Sequence, residues 1–211
     1  MDRIPMPLLI ALVFLLALVV VLGCSDRGRR TRLEGSAAAL GLRYVGRSDT
    51  LARSTIRSLP SIAAADRSFF THVMEGADAI VFDWTWRQGM LKLRRREVQT
   101  VVALQRSGAE RPAFVWTERD AETTSLERAL GEPISFPDAP GFGDRYALRG
   151  ADRPALRARF EAAEPATLRL PEGVRVEGAG EWIAAWRPGR RLEPEEIRAL
   201  LEALRPTAQR L

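Results

Sequence analysis

The strongest constraint on this chain is an uncharged segment near its N-terminus. No charged residue lies between Ile4 and Cys24, and every residue from Leu8 to Leu22 is apolar. Because about 20 apolar residues are enough for a helix to cross a bilayer, the segment predicts one membrane span. Residues 1–30 are therefore expected to form a membrane anchor ending in a basic stretch, and residues 31–211 a single domain.

Charge on the two sides of this segment predicts its orientation. Asp2 and Arg3 precede it, and four arginines follow it: Arg27, Arg29, Arg30 and Arg32. Positive residues beside a span usually remain in the cytoplasm, so the domain is expected to face the cytoplasm from the inner membrane. The four arginines would then lie at the depth of the lipid phosphates, which makes them candidate headgroup contacts.

A second interpretation starts from Cys24, the only cysteine. The sequence Val21-Leu22-Gly23-Cys24-Ser25 resembles a bacterial lipobox, in which the cysteine is lipidated and becomes the mature N-terminus. The protein would then be a periplasmic lipoprotein. However, Leu22 is larger than the residue usual at its position, and a secretory signal normally begins with a more basic region. The uncleaved anchor is preferred, and lipidation of Cys24 stays open as the alternative.

The basic balance of the chain does not by itself indicate a nucleic-acid partner. The formal net charge is +5, but the cations are almost all arginines scattered among nearly as many acids. The densest basic run inside the domain is Lys92, Arg94, Arg95 and Arg96. This run is a candidate binding hairpin for lipid headgroups or nucleic acid. Nucleic acid is the weaker partner of the two, because no aromatic residue that could stack on a base interleaves with the run.

Alternating apolar and mixed residues predict an antiparallel sheet. From Ala79 to Trp86 the even-numbered residues are Ile, Phe, Trp and Trp, which is typical of a half-buried strand. Apolar and β-branched runs at Val98–Gln105 and Ala113–Thr117 predict two more strands. The simplest connection is a meander in which Gly89–Glu97 forms a hairpin loop. Shorter strands are predicted at Leu42–Gly46, Tyr146–Leu148, Leu168–Leu170, Val174–Glu177 and Glu181–Trp186.

Capping signals and apolar stripes predict the helices. The N-terminal signals are the capping-box pairs Thr31 with Glu34 and Thr124 with Glu127, then Asp152 and Pro194. The last helix is expected to end at Pro206, and the proline-rich stretch Phe136–Gly143 to be a loop. Together these elements predict an α+β domain in which helices pack on one face of a mainly antiparallel sheet.

Few residues have the spacing of a catalytic or metal site. His72 is the only histidine, and the chain lacks the nucleophile elbow that accompanies a serine triad in hydrolases. Glu118, Asp120 and Glu122 cluster after the third strand, but a solvated strand end accounts for them. No catalytic residue, metal ligand or cofactor is therefore predicted. A carboxylate hydrolase that uses Asp83 and Glu118 stays as an alternative.

Short motifs through the domain form a set. They are Phe82-Asp83-Trp84 with Trp86, Gln99-Thr100-Val101-Val102, Pro112 with Phe114, Phe142, Tyr146 with Leu148-x-Gly150-x-Asp152, Val176-Glu177-Gly178 with Gly180, and Trp186-Arg187 with Gly189-Arg190-Arg191. The set resembles a family of uncharacterised bacterial proteins, each with an N-terminal membrane helix, a basic stretch and one domain of unknown function. The resemblance implies an inner-membrane anchor and a cytoplasm-facing domain, without an assigned activity, cofactor or partner.

These observations predict a membrane-anchored, non-enzymatic interaction or scaffolding domain. Its partner would be a protein that the sequence does not identify, in addition to the membrane itself. The alternatives are binding of lipid headgroups or nucleic acid through the basic hairpin, hydrolysis by carboxylates, and a periplasmic lipoprotein.

Overall fold

One antiparallel sheet organises the chain. A computed structural model describes residues 26–48, 56–65, 67–88, 95–106, 112–164 and 171–211. Its strands are β1 (Arg43–Gly46), β2 (Ser68–Glu75), β3 (Ala79–Gln88), β4 (Arg95–Gln105), β5 (Phe114–Glu118), β6 (Tyr146–Arg149), β7 (Arg175–Ala179) and β8 (Trp182–Trp186). They lie in the order β1-β2-β3-β4-β8-β7-β5-β6, and each neighbouring pair is antiparallel. The predicted α+β class with a mainly antiparallel sheet is confirmed.

Helices occupy both ends of the described chain and several of its connections. They are α1 (26–37), α2 (Pro60–Ala63), α3 (Ser125–Ala129), α4 (Pro140–Arg145), α5 (Arg153–Ala162) and α6 (Pro194–Arg210), with a 3-10 turn at Ala38–Leu40 directly after α1. Among the described helices, none has the length and apolar character needed to span a membrane. The predicted span, residues 4–24, lies outside the described residues.

Both faces of the central strands are buried, because successive residues such as Val81 and Phe82 enter different hydrophobic clusters. On the first face, here called the helical face, α1, α5 and α6 cover a core that includes Val81 and Val102. On the second, here called the pocket face, Phe82 and Val101 pack with Ile62 of α2. The larger helices share one face as predicted, but α2 and α3 lie on the other, which corrects the prediction.

The strand order departs from the predicted meander. Strands β3 and β4 form the predicted hairpin, but their pairing already includes Gln88 with Arg95, so residues 95–97 belong to β4 and not to a loop. Strand β4 next pairs with β8, and β5 lies between β6 and β7. The last strand of the chain therefore occupies the place beside β4 that a meander would give to β5.

Strand β2 was not predicted, and a β-bulge explains why. Its pairing with β3 shifts between Thr71 and Met74, and His72 within the bulge has a φ of 52°. Phe70 and Val73 consequently join the same pocket-face cluster although they are three residues apart. An uninterrupted strand sends residues three apart to opposite faces, so the bulge removes the period of two that identifies a strand.

Two predicted helix caps are confirmed. In the capping box of α3, Glu127 N–H donates to Thr124 Oγ1 at 3.3 Å, and Thr124 N–H donates to Glu127 Oε2 at 2.6 Å. At the start of α5, Ala155 N–H donates to Asp152 Oδ1 at 3.1 Å. These caps depend on residues close together in the chain, which explains why the local sequence predicts them.

Other helix boundaries differ from the prediction. Helix α1 already includes residue 26, so Thr31 lies inside it and donates to Arg27 O instead of capping the helix. Helix α6 continues through Pro206 to Arg210, where Thr207 and Ala208 are buried. The buried last turn compensates for the backbone hydrogen bond that proline cannot donate. Helix α4 forms within and beyond the stretch that was predicted to be a loop.

Candidate functional site

A pocket opens on the pocket face of the sheet, beside α2 and α3. Its volume is about 700 Å³, which is within the usual range for small-molecule sites. Five strands contribute to it through Trp84, Trp86, Gln99, Trp186, Arg175 and Thr117. These residues meet because the chain returns to place β8 and β7 beside β4.

Three tryptophans form an apolar wall of the pocket. The indoles of Trp84 and Trp86 stack with their centroids 4.4 Å apart, and Trp186 meets Trp84 edge-on at 6.2 Å. Trp84 and Trp186 are each 2% exposed, whereas Trp86 is half-buried. Trp84 and Trp186 thus belong to the hydrophobic core, and Trp86 is the indole of the three that a ligand can cover.

Gln99, which lines the pocket, has a buried amide with one unpaired end. Its side chain is 1% exposed, and its Oε1 accepts a hydrogen bond from Gly189 N–H at 3.2 Å. A backbone N–H requires an acceptor, so this contact identifies Nε2 as the other end of the amide. In the described part of the chain Nε2 has no hydrogen-bond partner. Leaving a buried donor unpaired costs about 1–3 kcal/mol, and such groups are rare in folded proteins.

Arg175 supplies a second unpartnered donor. Its Nε donates to Glu177 Oε1 at 3.1 Å, and its Nη1 lies 3.5 Å from Glu127 Oε2. The guanidinium also lies beside Trp186, with its carbon 5.8 Å from the ring centroid. Among the described residues, Nη2 has no hydrogen-bond partner. Two carboxylates therefore fix the guanidinium and leave one of its terminal nitrogens unpaired.

The pKa values of the two carboxylates around Arg175 are shifted in opposite directions. Burial raises the pKa of Glu177, although Arg175 and hydrogen bonds from Ser61 act in the opposite direction. Burial also acts to raise the pKa of Glu127, but Arg175 and hydrogen bonds from two threonines outweigh it, so that pKa lies below its usual value. Ser61 of α2 donates two hydrogen bonds to Glu177, one from its N–H at 2.8 Å and one from its hydroxyl. These carboxylates attach α2 and α3 to the sheet and so set the width of the pocket.

The acidic cluster predicted after β5 lies at the rim of this pocket. Glu118 and Glu122 line it together with Glu97 of β4, whereas Asp120 is exposed and does not line it. Glu118 Oε2 accepts a hydrogen bond from Gly173 N–H at 3.0 Å. Within the described residues, no group of three or more His, Cys, Asp and Glu side chains is arranged to hold a metal ion.

On the helical face, a buried ion pair joins α1 to the sheet. Arg29 Nε and Nη2 donate to the two oxygens of Asp83 at 2.6 and 2.7 Å, and Nη2 also donates to Thr100 Oγ1 at 2.8 Å. Nη1 donates to Leu192 O at 3.1 Å. Arg29 is 3% exposed and Asp83 1%. Asp83 is therefore engaged beneath α1, while Glu118 borders a pocket on the other face, so the two carboxylates of the hydrolase alternative do not share a site.

The other three arginines of the predicted juxtamembrane stretch are exposed. Arg30 forms an ion pair with Glu34 one turn later, and Arg32 forms one with Glu193 at the start of α6. Arg27 is also exposed. Of the four candidate headgroup contacts, Arg29 is committed to the protein interior, and the other three stand on the outer side of α1.

His72 has a structural position at the bulge of β2. Its two ring nitrogens lie 2.9 Å from Tyr44 Oη and 3.0 Å from Asp26 Oδ1. The hydrogen bond to His72 is the main factor that holds the pKa of Asp26 below its usual value. His72 thereby connects the first described residue of α1 to strands β1 and β2.

The remaining predicted sites are described only in part. Arg95 and Arg96 of the basic run lie in β4, opposite Gln88 and Arg87. Lys92 and Arg94 lie outside the described residues, and so does Cys24. Binding through this hairpin and lipidation of Cys24 stay predictions.

Comparison with known proteins identifies one shared architecture. No family model matches the chain, and no curated protein matches it. The crystal structure of the mycobacterial trehalose monomycolate transport factor A, TtfA, is similar over 86% of this chain and 93% of that chain, with a TM-score of 0.61 and 15% sequence identity. This chain has a TtfA-like fold. At that identity the similarity establishes the fold alone.

Some residues of the motifs behind the predicted family resemblance meet at two places in this fold. Asp83 and Thr100 hold Arg29, whereas Trp84, Trp86, Gln99 and Trp186 line the pocket. The resemblance itself stays a prediction. The unpaired Nε2 of Gln99 and the unpaired Nη2 of Arg175 had no sequence signal, because their burial depends on which strands become neighbours.

Proposed function

We propose that this protein is a membrane-anchored accessory domain of a transport system, which acts by binding and scaffolding and not by catalysis. Its TtfA-like fold supports the proposal, because that neighbour is a transport factor. The position of Asp83 supports it too, since this carboxylate is committed to Arg29 and is not open to a substrate.

The observation that carries the proposal is the burial of Arg29. This residue follows shortly after Cys24, at the end of the predicted span. Leu33 and Ala37 of the same helix lie in the helical-face core. The domain is thus packed against the described helix that follows the predicted anchor in the sequence. A domain attached in this way would be held against the bilayer in one orientation, as scaffolding beside a membrane transporter requires.

The proposed location is the cytoplasmic side of the inner membrane, with Arg27, Arg30 and Arg32 near the lipid phosphates. Reporters active only in the cytoplasm or only in the periplasm, fused after Leu211, test it. We expect signal from the cytoplasmic reporter, unchanged by Cys24→Ala. Periplasmic signal with lipid labelling that disappears in Cys24→Ala would establish the lipoprotein alternative and remove this location.

Photo-crosslinking in intact cells tests the proposed partner class. Phe69 is the most exposed large apolar side chain of the described residues, at 50%, and lies in β2 near the β1 edge of the sheet. A benzophenone side chain at this position is expected to cross-link an integral membrane protein of a transport system. The matched position is Arg198, exposed on α6. Cross-links to soluble enzymes alone, or equal products from both positions, would contradict the proposal.

A further inference from the structure

Strand β2 begins with Ser68 at an end of the sheet, here called the Ser68 end, where an aromatic side chain and two arginines are exposed. We propose that this end binds an anionic bilayer, with Phe69 in the headgroup region and Arg47 and Arg67 on lipid phosphates. The inference rests on the proposed membrane anchor and adds to it a direct contact between the folded domain and the bilayer. The sequence predicted headgroup contacts only within residues 27–32 and the basic hairpin, so this surface is a further one.

The direction of α1 places the Ser68 end nearest the predicted span. Oδ1 of Asp26, the first described residue of α1, lies 3.0 Å from Nε2 of His72, in the middle of β2. After α1 and the 3-10 turn, Arg43 pairs with Glu75, the last residue of β2. The chain from α1 to β1 therefore advances along the sheet toward Glu75. The N-terminus of α1 points the other way, to the Ser68 end.

Little chain separates the start of α1 from the predicted span. That span ends at Cys24, and Ser25 alone stands between it and Asp26. Two residue steps of an extended chain cover at most about 7 Å, which is close to the roughly 5–8 Å thickness of one headgroup layer. With the span in the bilayer, Asp26 is held at its surface. Phe69 lies about 10 Å from His72 along β2, on the side to which the N-terminus of α1 points.

Phe69 is an exposed aromatic side chain on the same face of the sheet as α1. The next residue, Phe70, is 5% exposed and belongs to the pocket-face cluster, so Phe69 points to the helical face. Phe69 lies beyond the first described residue of α1 and is 50% exposed. An aromatic ring at the surface of a bilayer is stabilised when it leaves water for the boundary between headgroups and acyl chains.

Arginines accompany Phe69 at this end of the domain. Arg67 is exposed directly before β2, and Arg47 is exposed directly after β1. The main cause of the lowered pKa of Asp26 is its hydrogen bond with His72. The charges of Arg191 and Arg47 also lower this pKa, so both guanidinium groups lie near the start of α1. Cations beside an exposed aromatic ring favour a bilayer that contains anionic lipid, because each cation near such a surface is attracted to it.

A photoactivatable lipid tests the proposal on the full-length chain. The chain is reconstituted in nanodiscs of phosphatidylcholine with phosphatidylglycerol that carries a diazirine in its headgroup. After irradiation and digestion with pepsin, the lipid adducts are located by mass spectrometry. We expect adducts within residues 67–71 and none at Ala77, which is exposed in the turn at the opposite end of β2. Adducts at the ends of the predicted span, residues 4–24, provide the reference yield in the same sample.

Two variants measure what the exposed side chains contribute. Phe69→Ser is expected to lower the adduct yield in residues 67–71, relative to the span, about tenfold, and Arg67→Gln about fivefold. Arg157→Gln is the matched control, because it removes the same charge from an exposed position of α5, which packs beside β5, away from β2. The yield in that control should be unchanged. Thermal unfolding of each variant separates loss of lipid contact from loss of folding.

The outcomes distinguish failure of this inference from failure of the proposed function. Adducts in the span without adducts in residues 67–71 would leave the anchor in place and overturn the lipid contact. A protein cross-link from position 69 in cells would then show that a protein covers Phe69. Adducts in neither segment would remove the anchor and this inference with it. The inference is also overturned if folded Phe69→Ser and Arg67→Gln keep the parent yield, or if a diazirine on phosphatidylcholine, without anionic lipid, gives the same yield.

Discussion

Replacing Asp83 with alanine tests the attachment of α1 to the sheet. The variant removes the carboxylate that accepts from Arg29 Nε and Nη2 and from Thr100 Oγ1. It also removes the anion that lies 3.4 Å from Arg191 Nε. Arg29 is only 3% exposed, so its charge would stay buried with Glu193 Oε1, 3.8 Å from Nη1, as its remaining counter-ion. Removing one partner of a buried ion pair costs about 3–5 kcal/mol, and we expect a loss of this size.

Equilibrium unfolding in urea measures that loss. The full-length chain in mild detergent is followed by tryptophan fluorescence. With a denaturant slope of about 2 kcal/mol/M, the expected loss lowers the midpoint by roughly 1.5–2.5 M. Arg32→Ala is the matched control on the same helix, because its ion pair with Glu193 is half exposed. Exposed pairs contribute about 0–1 kcal/mol, so the control midpoint should fall by less than about 0.5 M.

The double variant Arg29→Met with Asp83→Leu separates charge from shape. Removing both charges eliminates the buried cation, so we expect most of the stability lost in Asp83→Ala to return. A midpoint shift below about 0.5 M in Asp83→Ala would refute the role given to this ion pair. If the double variant were no more stable than Asp83→Ala, losing the hydrogen bonds that Arg29 donates to Thr100 and Leu192 would offset the removal of the buried charge.

Three further predictions concern the pocket face and the core. Thr124→Ala removes the cap of α3 and should lower the free energy of unfolding by about 1 kcal/mol in thermal melts. The pKa of Glu127 in the folded protein lies below its ordinary value of 4.5, so its contribution to stability is complete above that value and is lost as the pH falls through the folded pKa. An acid titration of stability should therefore be flatter below pH 4.5 in Glu127→Gln, and an unchanged acid limb would contradict this. In Gly178→Ala the new Cβ would overlap the buried ring of Phe114, which should cost about 1–3 kcal/mol, whereas Gly143→Ala meets nothing within 4 Å and serves as the control.

Elements that depend on neighbouring residues could be predicted from the sequence. The alternation along β3 identified the strand, and the spacing of Thr124 and Glu127 identified the cap of α3. The stripe of Ile197 and Leu201 likewise identified the buried side of α6. In each case the residues that determine the element lie within a few positions of one another, so the pattern survives without knowledge of the fold.

Features that depend on distant residues could not be predicted. Strand β8 comes late in the chain, yet it supplies Trp186 beside β4 and thereby closes one side of the pocket. The ion pair between Arg29 and Asp83 likewise joins residues 54 positions apart. Composition and spacing predict a surface position for Arg29, which is wrong, because nothing local indicates that it will pair with a carboxylate on another element and be buried there. The burial of Gln99 and Arg175 could not be predicted for the same reason.

The attachment site of α1 and the pocket use two adjacent residue pairs of the β3–β4 hairpin. Asp83 pairs with Thr100, and the next pair is Trp84 with Gln99. Successive residues of a strand point to opposite faces, so one pair holds Arg29 on the helical face and the next lines the pocket. A backbone displacement at this hairpin that moves one pair must also move the other.

The segment after β8 connects these two residue pairs a second time, through Gln99 and Thr100. Gly189 N–H donates to Gln99 Oε1 at 3.2 Å, and Leu192 N–H donates to Thr100 Oγ1 at 2.9 Å. The backbone of Thr100 also donates to Arg190 O at 3.0 Å. Because the same short segment binds both residues, the orientation of the Gln99 amide is linked to the position of α1 through Thr100 and Arg29. Loosening α1, as in Asp83→Ala, should therefore disturb the orientation of the Gln99 amide even though no residue that lines the pocket has changed.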